Sequence, residues 1–474
     1  MTIELPSYIA GEAVRTGKWL DVHYPWDNSV TGRAAVIGPE HLDQAIEAAL
    51  KGQEQPLTRY ERHAILRKAA GLLAEHREEL AGLICREAGM CIRETMYETG
   101  RTSDVMEFAA IEALKDDGQI FSCDISPQGK ARKIFTFRQP VKLVSAITPF
   151  NHPLNQVVHK VAPAIAAGAP MLLKPSEKTP LTALRFCEIL YEAGLPGWML
   201  SVFMGDLDEV VKPMMTDPRV EMVSFTGSVA VGKQISQTAG YKKTCLELGG
   251  NSPLIVLEDA DMEKAVTLAT EGSFRNSGQR CTAVKRILVQ ESIHQEFTER
   301  FVERAREYVS GDPENPETRV GTVIDEDAAK TLEERVQQAV ADGAEVLLGG
   351  NRHGALMEPT VINNVPRTTP MVVLESFGPL APIIPIRDLD DAIQWYNSGN
   401  FGLSSGVVTN NMELALKAAR ELRSGTTNIN EIPGFRIESS PFGGVKDSGL
   451  GIKEGVIEAM KYMTNVKTFS LPWE

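Results

Sequence analysis

The chain has 474 residues, of which 43% are apolar and 24% are charged. One hydrophobic core stops growing at roughly 250–300 residues, so this length predicts two large lobes. The composition is that of a globular protein and excludes intrinsic disorder and fibrous architecture. The 49 basic and 63 acidic residues give a net charge of −14, which argues against nucleic acid as a partner.

Membrane insertion and export have no recognisable signal in this sequence. The longest uncharged, mostly apolar run, residues 161–173, is shorter than the roughly 20 residues that span a bilayer. The N-terminus lacks the basic-then-apolar pattern of a signal peptide. The six cysteines show no CxxC spacing, so no metal site and no disulfide scaffold are expected. These features predict a soluble cytoplasmic protein that has no membrane partner.

Helical and strand-like patterns follow each other in a clear order. Residues 40–115 predict long amphipathic helices, because apolar positions recur three and four residues apart. Residues 119–140 alternate around a Ser-Pro-Gln-Gly turn, which predicts a two-stranded ribbon. Short β-rich runs then alternate with helical patterns up to Glu247, and a second series of this kind extends to residue 431. The alternation predicts two doubly wound parallel α/β lobes.

The junction of the lobes and the end of the chain carry further signals. Gly249 and Gly250 interrupt the apolar run between the two series and predict a hinge. The chain closes with a predicted helix over 456–462 and a predicted strand over 465–471. An exposed edge strand favours pairing with another chain, so we expect a homodimer or homotetramer.

Cys281, in the segment RNSGQRCTAVKR, is a candidate nucleophile. It lies on a predicted turn before a strand, directly after Arg280. Nearby positive charge and loop amides favour the thiolate form. The alternative is a buried core cysteine, which the local context alone favours.

Glu247, in the segment CLELGGN, is a candidate general base. A carboxylate on an apolar strand loses hydration, which raises its pKa toward the range useful for accepting protons. A glutamate satisfied by a salt bridge is an equally good interpretation.

Two further segments have weak patterns that suit a ligand. Gly227 and Ser228 lie between a predicted strand and a helix, whose N-terminal amides suit a pyrophosphate, although most such turns bind nothing. Lys174, Ser176 and Glu177 follow the carboxyl end of a predicted strand, where open α/β sheets bind ligands. The same residue types also cap helices.

Asn151 and Glu375 carry no information alone, since Asn near Pro is a turn signal and Glu375 could be an ordinary surface carboxylate. Taken together in order, however, the motifs make the chain resemble the aldehyde dehydrogenase superfamily over essentially its whole length. The 34-residue step from Glu247 to Cys281 fits that family. The motifs that carry the resemblance are TPFN (Asn151), KPSE (Lys174, Glu177), FTGS (Gly227, Ser228), LELGGN (Glu247, Gly249), GQRC (Cys281), ESFGP (Glu375, Phe377) and PFGGVKDSG (Phe442).

The resemblance implies a covalent mechanism. Cys281 would attack the aldehyde, and the side-chain amide of Asn151 and the backbone N–H of Cys281 would stabilise the oxyanion. Hydride would pass to a nicotinamide, and Glu247 would activate the water that hydrolyses the thioester. Glu247 argues against transfer of the acyl group to coenzyme A, and its retention with Cys281 and Asn151 argues against a non-catalytic protein.

The resemblance also implies how the cofactor is held. Lys174 and Glu177 would contact the adenosine ribose, Glu375 would hold the nicotinamide ribose, and Phe377 would pack beside it. Glu177 would repel the additional phosphate of NADP, which favours NAD. Lys174 could offset part of that repulsion, so NADP use stays open.

The family's domain plan can be placed on this chain. The resemblance implies an NAD-binding domain over 1–118 and 140–248 and a catalytic domain over 249–450. Residues 119–139 and 451–474 would form an oligomerisation ribbon.

Three arginines and one histidine are candidate substrate-binding residues. Arg280 precedes the nucleophile, and Arg436 lies in the loop that lines the substrate entrance in the family. Arg101 shares a helical stripe with Tyr97, Val105 and Phe108, which predicts that this face points inward.

Each of these residues also has a plainer interpretation. Arg280 could bridge to a carboxylate, Arg436 could be solvated, and Arg101 could pair with an interior acid. His152, which follows Asn151, would add a donor, although a lone histidine is more often structural.

Three guanidinium groups suit the several oxygens of a phosphonate or phosphate, so a small anionic aldehyde is the expected substrate. The sequence resembles phosphonoacetaldehyde dehydrogenases, which form phosphonoacetate. It also resembles non-phosphorylating glyceraldehyde-3-phosphate dehydrogenases, but these typically have Tyr in place of His152 and lack a glutamate at Glu177. Sulfoacetaldehyde and succinate semialdehyde stay open as alternatives.

Overall fold

Two seven-stranded sheets form the centres of two α/β lobes in the computed structural model, which describes residues 3–473. Helices cover the sheets, and apolar side chains of helices and strands fill the cores between them. The architecture confirms the predicted α/β fold class.

The first sheet belongs to the N-terminal lobe. Its first five strands in spatial order are parallel, and the last two form an antiparallel edge. Chain order reverses between Val144–Ile147 and Met222–Thr226, which makes their carboxyl ends the place where open α/β sheets bind ligands. The strands in spatial order are Lys243–Glu247, Met222–Thr226, Val144–Ile147, Met171–Lys174, Leu200–Val202, Ser7–Ile9 and Glu12–Val14.

The second sheet belongs to the other lobe and has one antiparallel strand, at an edge. The chain enters this sheet directly after the first one, crossing between Glu247 and Ser252. The strands in spatial order are Glu345–Leu348, Thr360–Asn363, Leu380–Ile386, Val284–Gln290, Ser252–Val256, Ser404–Val408 and Thr426–Ile429.

The C-terminal strand Thr464–Pro472 pairs antiparallel with Arg132–Pro140, which in turn pairs with Ile120–Ser122. The rings of Phe135 and Phe469 stack across this three-stranded sheet, with centroids 5.3 Å apart. Two small sheets were not predicted from the sequence. They consist of Ile3–Leu5, Trp19–His23, Val30–Ile37 and Met204–Gly205, and of Arg352–His353 with Leu356–Met357.

Local sequence signals account for many helix ends. Thr58 and Glu61 form a capping box at one N-terminus, and the Asp261 side chain caps another by accepting the Lys264 N–H. No helix within residues 3–473 is long and apolar enough to cross a membrane. The α-helices are Pro39–Gly52, Arg59–Glu75, Arg77–Ala88, Ile92–Ala113, Asn155–Ala167, Leu181–Glu192, Lys212–Thr216, Val229–Thr238, Met262–Phe274, His294–Ala305, Glu326–Ala341, Pro370–Val373, Leu389–Ser398, Met412–Glu421 and Val456–Tyr462.

The predicted inward stripe of the helix Ile92–Ala113 is wrong in part. Val105 is buried, but Tyr97 is 52% exposed and Phe108 is 36% exposed. The inner face consists largely of small threonine and alanine side chains, which allow neighbouring helices to approach closely. Tyr97 instead lies beneath the guanidinium of Arg275, 4.6 Å from its ring centroid.

Candidate active site

A cavity of about 240 Å³ is lined by residues from both lobes. Six predicted site residues lie on its wall, although they are scattered over more than 300 residues of chain. They are Arg101, Asn151, His152, Arg280, Cys281 and Arg436. The structure therefore brings together the predicted nucleophile, the predicted oxyanion donor and all four predicted substrate-binding residues.

A strained turn presents Cys281 to the cavity. Asn276, Ser277 and Gly278 have φ values of 52°, 50° and 67°, in the left-handed region that side chains normally avoid. A Cβ at Gly278 would meet the carbonyl oxygen of Gly378 at 2.1 Å, so only glycine fits there. Such strain is concentrated at functional sites, where the surroundings hold it in place.

Two hydrogen bonds tie Asn151 to this turn. The Asn151 side-chain amide donates to the carbonyl oxygen of Gln279 over 2.8 Å, and the Asn276 amide donates to the carbonyl oxygen of Asn151 over 2.9 Å. An amide nitrogen has two hydrogens, so Asn151 keeps a second one. This leaves a held donor beside Cys281, as an oxyanion site requires.

The sequence-based expectation that nearby positive charge keeps Cys281 in the thiolate form does not hold for the isolated chain. Burial raises the pKa of the Cys281 thiol to about 11, and the opposing positive charge comes mainly from Lys285. The Arg280 guanidinium points elsewhere and donates to the carbonyl oxygens of Glu271 and Gly272. The effect of burial on the Cys281 pKa is therefore larger than the effect of nearby positive charge. Burial depends on the whole fold, so the local sequence could not show it.

Glu247 is 3% exposed, and neither of its carboxylate oxygens has a hydrogen-bond partner within the described chain. Burial, and then the negative charge of Glu454, raise its pKa well above the usual value, while Lys160 opposes them. A raised pKa is what the sequence predicted for Glu247 as a general base. The alternative, a glutamate satisfied by a salt bridge, does not hold.

Sequence reasoning missed Lys160 and Glu454. The Lys160 side chain is fully buried, and its ammonium donates to Glu454 over 2.7 Å and to the Ser224 hydroxyl over 2.8 Å. A lysine within the apolar helix Asn155–Ala167 was the available signal, because a buried lysine needs a partner. The pair places a second carboxylate near Glu247.

Arg101 pairs with an interior acid, as the plainer interpretation of the sequence allowed. Its Nε donates to one oxygen of Glu438, whose other oxygen lies 2.6 Å from Nε2 of His159. Burial alone would raise the pKa of Glu438, but His159 and Arg101 outweigh it and lower that pKa. Both Nη atoms of Arg101 stay without a protein hydrogen bond in the range 3–473.

Arg280 and Arg436 form no ion pair with a carboxylate in the part of the chain that the structure describes. Arg436 stacks on Phe442, 4.1 Å from the ring centroid, and one Nη lies 3.4 Å from the His159 ring. Burial lowers the pKa of both guanidinium groups, that of Arg280 to about 10. Two desolvated cations thus line the cavity without a direct ion pair in the described residues, and the charges of Glu438 and Glu94 act on Arg436 and Arg280 only from a greater distance.

Sequence reasoning also missed Arg275 and the acidic part of the cavity wall. Arg275 is held by Glu94 over 3.0 Å. Glu98 accepts two backbone N–H bonds and lies 3.0 Å from the Nδ1 of His152, so it orients that ring. The carboxylates on the wall are those of Glu94, Glu98, Glu271 and Glu431. Positive charge in the cavity is therefore local, at Arg280 and Arg436, and not general.

The remaining predicted residues lie at the carboxyl edge of the first sheet or beside Cys281. Lys174 is buried and forms an ion pair with Glu177, whose side chain is 61% exposed. Ser176 accepts the Lys178 N–H over 3.2 Å. Ser228, directly after Gly227, caps the helix Val229–Thr238 at the switch point of the sheet.

Glu375 is not an ordinary surface carboxylate. One oxygen accepts the Gly250 N–H over 3.0 Å and the Lys285 ammonium over 2.9 Å. Phe377 has a φ of 45°, and its ring packs edge-on against Phe150 with centroids 5.8 Å apart.

Residues 12–469 match the sequence model of the aldehyde dehydrogenase family. The chain belongs to this family. It is an oxidoreductase that acts on aldehydes, as the sequence resemblance implied.

Known members of the aldehyde dehydrogenase family match nearly the whole chain. The 3-sulfolactaldehyde dehydrogenase of Priestia megaterium is 38% identical over 464 residues, covering 98% of this chain and 97% of that protein. The structure of Physcomitrella patens aldehyde dehydrogenase 21 with its product succinate has a TM-score of 0.96 and 35% identity, covering 100% and 99% of the two chains. Glyceraldehyde-3-phosphate dehydrogenase of Methanocaldococcus jannaschii, complexed with NADP, has a TM-score of 0.91 and 38% identity, covering 96% and 99%.

The edge of the first sheet fits the nicotinamide dinucleotide that aldehyde dehydrogenases use. A helix N-terminus capped by Ser228 lies at the switch point and presents backbone N–H groups suited to a pyrophosphate. At Gly249 the backbone approaches the held Glu375 so closely that a Cβ would meet its Oε2 at 2.2 Å. Glycine at this position lets the Glu375 carboxylate lie against the backbone.

Gly249→Ala is expected to raise the KM for the dinucleotide about tenfold, which corresponds to about 1.4 kcal/mol of binding free energy. The added methyl meets Oε2 of Glu375 and must turn a carboxylate whose Oε1 is bound by Gly250 and Lys285. Steady-state kinetics with varied cofactor measure the effect. Gly71→Ala is the control, because a Cβ there meets nothing within 4 Å. An unchanged cofactor KM in the Gly249 variant would contradict the assignment.

Proposed function

We propose that this aldehyde dehydrogenase oxidises a small anionic aldehyde to its carboxylic acid with NAD, and that phosphonoacetaldehyde is the substrate. One observation carries the proposal: Arg280 and Arg436 line the cavity that contains Cys281, and neither forms an ion pair within residues 3–473. A buried cation requires an anion, and the cavity provides the space for one.

The number of available hydrogen-bond donors favours a phosphonate over a carboxylate. Arg101 and Arg275 already have ion-pair partners, which leaves Arg280 and Arg436 as the guanidinium groups of the cavity without one. A phosphonate has three acceptor oxygens and more negative charge than a carboxylate, so it can accept from both and also from the free Nη atoms of Arg101. A single carboxylate has two acceptor oxygens and would leave more of these donors unpaired.

Within this proposal, each polar residue near Cys281 has a defined task. The Cys281 thiolate attacks the aldehyde carbon, while the second amide hydrogen of Asn151 and the Cys281 backbone N–H hold the oxyanion. A bound nicotinamide supplies the hydride acceptor. Glu247 then accepts a proton from the water that hydrolyses the thioester, which releases the carboxylic acid.

The cofactor preference rests on Glu177. Its carboxylate is exposed at the edge of the first sheet, and Lys174 is already engaged with it. A phosphate on the adenosine ribose would meet this negative charge with no additional cation from Lys174, which favours NAD over NADP.

A panel of aldehydes tests the proposal. Phosphonoacetaldehyde, sulfoacetaldehyde, succinate semialdehyde, glyceraldehyde 3-phosphate and uncharged propanal are compared by kcat/KM, with NAD and with NADP. We expect phosphonoacetaldehyde with NAD to give the highest value. A higher kcat/KM for sulfoacetaldehyde would support anion binding in the cavity but would contradict phosphonoacetaldehyde as the substrate. A higher kcat/KM for propanal would contradict both the anion-binding role and the proposed substrate.

Arg436→Met should raise the KM for the anionic substrate about 10- to 150-fold, because a charged hydrogen bond contributes about 1.5–3 kcal/mol. The kcat should change little, since the arginine holds the anion in the ground state and the transition state alike. The KM for propanal should not rise. Arg219→Met, which breaks pairs with Asp43 and Asp217 far from the cavity, serves as the control. Equal losses for charged and uncharged aldehydes would contradict an anion-binding role.

We also propose that the three-stranded sheet joins copies of the chain into a homodimer or homotetramer. The C-terminal strand Thr464–Pro472 is an edge strand, and its residues from Asn465 onward are exposed. Large apolar side chains on this sheet are exposed by 44–62%: Ile120, Phe121, Val466, Phe469 and Leu471. Light scattering on the purified chain checks the proposal, and a monomeric mass would refute it.

A further inference from the structure

We propose that Lys285 is a positioning residue that holds the Arg280–Cys281 peptide and Glu375 in one fixed arrangement and places a positive charge beside the Cys281 loop. The inference rests on the proposed role of Cys281 as the nucleophile. No motif in the sequence pointed to Lys285, which precedes Arg286 at the start of the strand Val284–Gln290.

The Lys285 ammonium is buried, at 2% exposure of the side chain, and all three of its hydrogens have an acceptor. It donates to the carbonyl oxygen of Arg280 over 2.6 Å, to Oε1 of Glu375 over 2.9 Å and to the carbonyl oxygen of Gly250 over 3.3 Å. These acceptors come from three separate segments of the chain. One ammonium therefore joins the nucleophile loop, the crossing between the two lobes and the loop that carries Glu375.

The bond to Arg280 acts directly on the oxyanion site. The Arg280 carbonyl and the Cys281 N–H belong to the same planar peptide group and point in opposite directions. Holding the carbonyl therefore fixes the direction of the N–H that, in the proposed mechanism, donates to the oxyanion. A cationic donor on the carbonyl also polarises the peptide and strengthens its N–H as a donor.

The hydrogen bonds of Lys285 to Gly250 and Glu375 connect the crossing between the lobes with the loop that carries Glu375. The Gly250 N–H donates to the same Glu375 oxygen that Lys285 binds, so the three groups form a closed network. A Cβ at Gly250 would meet the carbonyl oxygen of Cys281 at 2.3 Å. The nucleophile loop and Glu375 consequently cannot shift independently.

The charge of Lys285 bears on Cys281 as well. Burial is the largest influence on that thiol and raises its pKa, and Lys285 is the strongest of the groups that lower it. Negative groups that oppose it are Glu375 and Glu247, while Arg436 acts in the same direction. The other ionisable groups on the cavity wall include Arg101, His152, Arg275, Arg280, Tyr97 and the four carboxylates of Glu94, Glu98, Glu271 and Glu431.

The test is the pH dependence of Cys281 alkylation by iodoacetamide, followed by peptide mass spectrometry on the full-length protein. In Lys285→Met, we expect the midpoint to rise by about one pH unit and kcat to fall at least tenfold. Lys285→Arg keeps the charge and should restore the midpoint. Lys242→Met is the matched control, because its ammonium also binds two backbone carbonyls, those of Asp217 and Val220, away from Cys281.

An unchanged midpoint in Lys285→Met, or the same rise in Lys285→Arg, would overturn the proposal. If the methionine variant does not fold, Lys285→Gln supplies the answer: it keeps a polar donor for the backbone carbonyls but removes the positive charge, so the midpoint should rise, and no change would refute the inference. The alkylation readout does not require turnover. It therefore stays interpretable even if Cys281→Ser retained activity and the proposed function failed.

Discussion

Cys281→Ser is expected to lower kcat for aldehyde oxidation by about 10⁴-fold or more, the range seen when an enzyme loses its nucleophile. Serine keeps the size and position of the side chain, but its hydroxyl ionises far less readily than a thiol. No basic side chain in residues 3–473 forms a hydrogen bond with Cys281 that could activate a hydroxyl in its place. The loss should therefore appear in the chemical step and not in substrate binding.

The measurement is NADH formation under saturating substrate, together with the dissociation constant for NAD. Cys123→Ser is the matched control, because Cys123 is only partly buried and lies in the ribbon, outside the cavity. Its kcat should equal that of the wild type. Activity in the Cys281 variant within tenfold of wild type would exclude covalent catalysis at this residue.

The same residue predicts a pH profile. Because burial raises the pKa of the free Cys281 thiol to about 11, the thiolate fraction grows as pH rises through the neutral and alkaline range. We expect kcat/KM to increase with pH over this range, since the free enzyme must supply the thiolate.

Much of the fold followed from local patterns. Alternating β-rich and helical runs predicted both lobes, and the last helix has the bounds that its apolar spacing indicated. Two strands of the four-stranded sheet near the N-terminus were missed for a physical reason. The strand Ile3–Leu5 has three residues, and Met204–Gly205 has two. Runs this short cannot show the alternation that identifies a strand.

The site was predictable as a set of positions but not as a network. Sequence reasoning named six residues of the cavity wall. Asn151 and Cys281 belong to ordered motifs that can be identified locally, whereas Arg101 was named from the spacing along its helix. The partners of these residues could not be named. Glu438 binds Arg101 from 337 positions away, and Glu454 binds Lys160 from 294 positions away. No sequence period connects such pairs, so counting arginines overstated the positive charge that is free to meet a substrate.

Glu247→Gln should separate the two halves of the reaction. Glutamine has the same shape but cannot accept a proton, so thioester formation continues while hydrolysis stops. We expect a burst of about one NADH per active site, followed by steady turnover reduced about 10²- to 10⁴-fold. Stopped-flow absorbance measures the burst, and acid quenching with mass spectrometry detects the acyl group on Cys281. A variant that shows neither a burst nor a covalent adduct would contradict the assignment of Glu247 to hydrolysis.

The raised pKa of Glu247 predicts how turnover and stability each depend on pH. These two pH dependences distinguish the loss of a catalytic base in Glu247→Gln from simple unfolding of the variant. A base must be ionised, so steady turnover of the wild type should fall as pH decreases through the raised pKa, at a higher pH than for an ordinary glutamate.

A carboxyl whose pKa is raised by folding stabilises the native state at low pH and loses that contribution as pH rises. Once the pH exceeds the raised pKa, the wild-type protein therefore bears the cost of a buried charge with no hydrogen-bond partner in the described chain. Glu247→Gln removes that charge, so its Tm at pH 8 should equal or exceed the wild-type value while its hydrolysis is lost. Lower stability together with lower activity would instead point to a structural role.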